Sequence, residues 1–278
     1  MKKWLILDCN YLCHRAKHAM GGLSFNEEPT GAIYGFLRDI IHFRDHFTTE
    51  RLVFCFDSKT SRRKRLYPSY KGSRKKVQAE KTEEEKQFDI DFYDQIKKLR
   101  RIYLPMLGYK NIFVQKGFEG DDVIASICKN IPTDEQAIII SADQDFFQLL
   151  TSNISIFNAH TNKIVTKKDF IKKYDITPFQ FGEVKTLAGC SSDEVKGVPG
   201  VGNKTAIKYL KKVLKPTTKA FQKINSEEGK LIAIRNAPLV VLPMQGTKVF
   251  ELQKDAFSIK GWKKVCKKLG MASIKDQI

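Results

Sequence analysis

No stretch of the 278-residue chain stays apolar long enough to cross a membrane, and its start lacks the long apolar core and small-residue cleavage site of a secretory signal. A membrane-spanning or exported protein is therefore not expected, and an intracellular setting is. The six cysteines form no CxxC pair and several sit inside apolar runs, which argues against a disulfide framework and for reduced, buried thiols. Internal repeats and low-complexity tracts are missing, so the chain is neither a solenoid nor a disordered array. Acid is in short supply: 31 acidic residues face 49 basic ones, giving a net charge of +18. That balance favours a nucleic-acid partner, because each Lys or Arg laid along a phosphate backbone releases counterions; an anionic membrane surface or plain solubility are the other readings of charge alone. A hydrophobic content of 42% is enough for a packed core of one large or two medium domains.

What acid there is falls at particular places. Strand-like apolar runs stop at Asp8 (Trp4 to Leu7), at Asp57 (Val53 to Phe56) and just before Asp143 and Asp145 (Ile138 to Ile140), while Glu119, Asp121 and Asp122 open an apolar-periodic helix reaching Ile131. In an open parallel sheet the carboxyl ends of the strands share one edge, where ligands bind. Each such acid taken singly reads as a helix cap or turn former. Taken jointly they form an oxygen-rich site for two hard divalent cations, Mg²⁺ with Mn²⁺ as a substitute, completed by substrate phosphates.

Two further segments are basic or glycine-rich. Residues Lys59 to Lys76 hold nine basic residues and no acid, interrupted by Pro68 and Gly72 and interleaved with Tyr67 and Tyr70. The segment reads as mobile, with Lys64, Lys75 and Lys76 on a solvated face. Lys71 and Arg74 enter the following long helix, a position from which they could offset charge on a phosphate, and Tyr70 could stack on an unpaired base. Farther on, Gly197, Gly200 and Gly202 precede Lys204, Thr205 and a helical pattern. Such density of glycine lets backbone amides approach phosphate, as in a helix-hairpin-helix over about 183–214, and also suits an ordinary turn between helices. The spacing before Lys204-Thr205 is not that of a Walker loop. Alternating strands and helices to about residue 165 predict an α/β core with a mostly parallel sheet, followed by a helical region over 166–278.

The ordered motifs Leu7-Asp8, Thr30-Gly31-Ala32-Ile33-Tyr34-Gly35-Phe36, Phe56-Asp57, Tyr70-Lys71 with Arg74, Glu119-Gly120-Asp121-Asp122, Ser141-Ala142-Asp143 with Asp145, and Gly189 through Thr205 resemble the 5′ nuclease family. That family comprises flap endonucleases, phage 5′-3′ exonucleases and the N-terminal nuclease domain of bacterial DNA polymerase I. The resemblance runs almost end to end and implies a central, PIN-like sheet flanked by helices, a helical arch at about 72–105, and a helix-hairpin-helix that binds K⁺ and duplex DNA. It implies Asp8, Asp57, Glu119 and Asp121 as ligands of a first metal, Asp143, Asp145 and Asp193 at a second with Asp122 close by, and Lys71 and Arg74 as contacts of the scissile phosphate. The implied reaction is hydrolysis of DNA near single-strand/double-strand junctions, at 5′ flaps or RNA-DNA primers. The implied protein is a monomer working with replication proteins, in a bacterial or phage-infected cytoplasm, as a subunit separate from any polymerase.

One departure stands out. Where the family commonly writes Gly-Asp-x-x-Asp, this chain has Gly189-Cys190-Ser191-Ser192-Asp193, placing a soft thiol where a carboxylate is usual. A weakened second metal position follows, and with it an alternative: a junction-binding protein that has lost cleavage. A PIN-type ribonuclease, which also clusters acids at strand ends, is a third reading. A phosphatase with an aspartyl nucleophile is weaker, since Asp8-Cys9-Asn10 lacks the second Asp.

Overall fold

A computed structural model describes residues 2–277. Six strands form the main sheet: β1 (Lys3–Asp8), β2 (Leu52–Cys55), β3 (Ile112–Phe113), β4 (Gln136–Ile140), β5 (Ile154–Asn158) and β6 (Lys163–Val165), in the order β3-β2-β1-β4-β5-β6. All pair in parallel except β6, which returns antiparallel along β5. The chain builds outward from β1 to one side, then crosses back to lay β4 on the other. This reversal opens a crevice at the carboxyl ends of β1, β2 and β4.

Strand side chains alternate between two apolar layers, as period-two geometry requires. Leu5, Leu7, Leu52, Phe54, Ile138 and Ile140 face one layer. Over it lie α1 (Cys9–Met20), α2 (Gly31–Phe47) and, beyond α3 (Arg62–Leu66) and α4 (Ser73–Ala79), the long α5 (Glu83–Lys98). Trp4, Ile6, Val53, Cys55, Ala137 and Ile139 face the other layer. There α6 (Gly120–Asn130), α7 (Lys167–Tyr174), α8 (Pro178–Ala188), α9 (Asn203–Leu210) and α10 (Lys219–Asn225) contribute the cover, and the following α11 (Glu227–Val240) packs on α8. The last helix, α12 (Ile259–Lys268), crosses back and buries Trp262, Val265 and Cys266 in the first layer. Both layers thus mix side chains from before and after residue 165.

The basic segment expected to be mobile is mostly exposed, as a solvated run should be, but it is anchored at two points. Arg63 and Tyr70 are only 2% and 1% exposed: Arg63 pairs with the buried Asp122, and Tyr70 turns its hydroxyl to the half-buried Glu119. Residues 72–105, implied as an arch, form α4, α5 and a π-helical turn at Leu99–Tyr103. Helix α5 begins at a reciprocal cap between Thr82 and Glu85 and lays Asp89, Phe92 and Gln95 inward, Gln95 accepting from the first amides of α2.

Candidate metal and phosphate site

Four separate chain segments bring carboxylates to the crevice. Asp8 ends β1 and caps α1, its Oδ1 accepting from the Tyr11 amide at 3.0 Å and its Oδ2 from Ser141 Oγ at 2.8 Å. Asp57 follows β2; its Oδ1 accepts from the Gly120 amide at 2.6 Å, an approach open because Gly120 has no side chain, and Asn10 Oδ1 accepts from its backbone amide. Glu119 and Asp121 sit at the amino end of α6. Asp143 follows β4 and accepts from the Asp145 amide at 2.7 Å.

These acids strain one another electrostatically. Asp8 is pushed up to about 7, chiefly by burial and further by Asp57 and Asp143. Burial, then Asp8, Asp143 and Asp57, hold Asp121 well above the usual carboxylate range. Asp57 and Asp143 are raised as well, first by desolvation and then by Glu119 and Asp145 respectively. Asp57 and Asp143 keep exposed faces while Asp8 and Asp121 are half-buried, and carboxylates that oppose each other's ionisation in this way are a donor set a divalent cation relieves. Glu119 runs the other way: burial raises it, but Lys71 and Arg63 outweigh burial and hold it low. A second group adjoins the first, with ligand atoms of Asp145, Cys190 and Asp193 all within 4.8 Å of one another. Lys185 of α8 binds Asp145 at 2.6 Å, a residue that sequence patterns did not single out because a lone Lys in a helix's last turn carries no signal.

Comparison with known proteins gives the chain a family. Residues 3–175 match the family described as 5′-3′ exonuclease, N-terminal resolvase-like domain. The chain belongs to the 5′-3′ exonuclease family. It is 32% identical over 253 residues to a 5′-3′ exonuclease of Buchnera aphidicola from Schizaphis graminum, covering 89% of this chain and 82% of that protein. To DNA polymerase I of Bacillus subtilis it is 32% identical over 238 residues, 82% of this chain but 25% of that longer protein. Among solved structures, T5 5′-exonuclease with bound divalent zinc superposes with a TM-score of 0.72 at 26% identity, covering 87% of this chain and 90% of the other.

Within this family member, two residues named from sequence take other roles. Asp122 is fully buried, with its oxygens engaged by Arg63 Nη1 at 2.5 Å, Arg63 Nη2 at 2.8 Å, the Met244 amide at 2.8 Å and the Glu119 amide at 3.2 Å. No lone pair is left facing the crevice, so Asp122 is a structural anchor rather than a metal ligand. Tyr70 cannot stack on a base as placed: its ring lies among Cys190, Val195, Leu239 and Val240, and its hydroxyl lies 3.0 Å from both Glu119 and Asp193. Lys71, beside it, binds Glu119 at 2.8 Å and stands 3.7 Å from Asp193. Arg74, on the first turn of α4, is exposed and close enough to Asp57 to lower its carboxyl somewhat against burial. Glu194 accepts from the Ser73 amide at 2.6 Å, tying the start of α4 to the loop that carries Asp193.

The glycine-rich segment joins α8 to α9, which pack together. Gly197 lies against the end of α8, where a Cβ would meet the Ala188 carbonyl at 2.2 Å, and Gly200 adopts φ +81° in open space. Gly202 leads directly into α9, and Lys204 is exposed on its first turn while Thr205 is half-buried.

Proposed function

We propose that this chain is a structure-specific 5′ nuclease, hydrolysing DNA phosphodiesters near single-strand/double-strand junctions at 5′ flaps or RNA-DNA primers. The observation carrying this reading is the convergence of mutually repelling acids from four chain segments on one sheet edge of a +18 protein of this family. Asp8, Asp57, Glu119 and Asp121 would hold one divalent cation, Mg²⁺ or Mn²⁺, and Asp143, Asp145 and Asp193 a second. Bound there, such ions lower the pKa of an attacking water and neutralise charge on the departing oxygen.

The protein's own groups do the rest. Asp8 and Asp143 are held in place by Ser141, whose hydroxyl donates to the first and whose oxygen accepts from the amide of the second at 3.2 Å. Lys71 guards the mouth in its pairing with Glu119, and an incoming phosphate offers its ammonium a competing anion. Arg74, unencumbered by an ion pair among the described residues, supplies a fork of donors on the same side. The amides of the glycine-rich turn and Lys204 on the first turn of α9 grip duplex backbone without reading bases, with K⁺ bound at the turn. The enzyme acts as a cytoplasmic monomer alongside replication proteins.

A 5′-labelled flap assayed with Mg²⁺, Mn²⁺ and chelator, beside blunt duplex, single strand and an RNA flap, tests the proposal. Cleavage that needs the cation, prefers the DNA junction, and disappears in Asp121→Asn while binding persists is the expected result. Binding with no cleavage under any cation would favour the junction-holding alternative instead.

A further inference from the structure

Helix α12 carries a charge pattern that neither the crevice nor the glycine-rich turn explains. Lys260, Lys263, Lys264, Lys267 and Lys268 are all exposed, while Trp262, Val265, Cys266 and Leu269 face inward. Three- and four-residue spacings put the five lysines on one face, along roughly 12 Å of helix axis. The chain has no acid between Asp255 and Asp276, and none of the five lysines has a carboxylate within 4.0 Å among the described residues.

An ordinary solvated helix mixes charges of both signs. Here every four-residue pair repels, and Lys260 adds a cation at the helix end where the dipole disfavours one. Burial holds the helix despite this: Trp262 is 1% exposed with its indole donating to the Lys275 carbonyl at 2.9 Å, and Gly261 lies so close to Met106 that a Cβ would sit 2.0 Å from its carbonyl oxygen. A local cost maintained on a rigid platform points to a partner that repays it.

We propose that the lysine face of α12 is a second nucleic-acid contact, binding the phosphate backbone of duplex DNA outside the catalytic crevice. The only aromatic on α12, Trp262, is buried, so the surface offers charge without a stacking platform, which suits duplex rather than unpaired bases. Its approach runs beside Lys110 and Asn111, ahead of β3, where Asp255 and Gln253 are hydrogen-bonded; this is the end of the sheet opposite the carboxylates. The helix itself packs on the first apolar layer, whereas the glycine-rich turn and α9 belong to the second, so a duplex arm held on its lysines would lie on the other face of the sheet from that turn. The inference rests on the nuclease reading for its partner, but not for its measurement.

The test compares the full chain with a variant carrying Lys260→Gln, Lys263→Gln, Lys264→Gln and Lys267→Gln. Binding to a blunt duplex and to a single strand of equal length is followed by anisotropy across a salt series, with Mg²⁺ present and Asp121→Asn in both proteins to keep the DNA intact. The slope of log K against log salt for duplex should fall in magnitude by about 2–4, at about 0.9 for each phosphate no longer neutralised. Single-strand binding should change less. The variant's Tm should equal or exceed that of the parent, because Gln removes repulsion without lowering helix propensity. An unchanged duplex slope, or an equal fall for single strand, overturns the proposal. Cleavage is read separately with the four substitutions in the otherwise unaltered chain. If the unaltered chain fails to cleave but the slope still falls, the nuclease reading fails while this surface stands.

Discussion

The Arg63–Asp122 pair shows how far a residue's surroundings can override its type. Asp122 belongs to an acid-rich motif and Arg63 to a basic run, and both patterns point toward the crevice or toward solvent. The structure buries the two together, with the guanidinium also donating to the Leu239 carbonyl at 2.8 Å. Removing one partner would strand the other charge in a dry interior. Arg63→Met should therefore cost about 3–5 kcal/mol in urea unfolding, whereas the double change with Asp122→Leu should recover much of that stability. The acids of the crevice itself were legible because strand ends and helix starts are readable in a linear pattern. Arg63 was not, since nothing local distinguishes the one arginine of a run that turns inward.

Cys190 makes the second prediction at this scale. Its thiol is buried, pushed up by that burial, and lies 3.0 Å from Ser192 Oγ within the group formed with Asp145 and Asp193. A protonated, soft donor serves Mg²⁺ poorly. Cys190→Asp should lower the Mg²⁺ concentration for half-maximal flap cleavage by on the order of tenfold. Cys190→Ser should not. Equal Mg²⁺ dependence in all three proteins would show that the position is not part of the cation site.

At the scale of elements, the helix periodicity and the Thr82–Glu85 cap made α5 readable, but not what holds it. Asp89 binds Lys17 of α1 at 2.6 Å and Lys81 from the turn ahead of α5, and the Lys17 ammonium also lies over the Phe88 and Phe92 rings. A contact between residues 72 apart leaves no trace in local spacing. Burial raises the Asp89 carboxyl, yet the two ammoniums overcome it and hold the group at about 2. Because the folded value lies below the unfolded one of 3.8, this clasp contributes fully above pH 4 and is lost as pH falls toward 2. Allowing for screening near the surface, the contribution is on the order of 1 kcal/mol. Asp89→Asn should melt lower than the parent at pH 5, and the gap should narrow as pH falls through about 2 and close below it. A gap that stays constant across that window would show the ion pairs to be incidental.

For the molecule as a whole, strand and helix order made the layered α/β architecture legible, while the sharing of its core was not. The change from strands to helices near residue 165 suggests a boundary, because composition shifts there. In space, Phe170, Phe181, Val184, Leu187, Val198, Val201, Ala206, Ile224 and Leu242 complete one apolar layer, and Trp262, Val265, Cys266, Leu269, Met271 and Ile274 complete the other. Each large side chain among them contributes about 1.5–3 kcal/mol on burial, and without them the apolar strand faces they cover would stand in water. A fragment of residues 1–165 would keep its carboxylates in sequence yet lose the cover from both faces of the sheet, along with the Leu239 and Met244 backbone groups that position Arg63 and Asp122. It should show no cooperative melt in calorimetry and should bind a hydrophobic dye, whereas the full chain should unfold in one transition. A fragment that melts cooperatively would establish that the sheet stands alone and that the helical region is an addition to it.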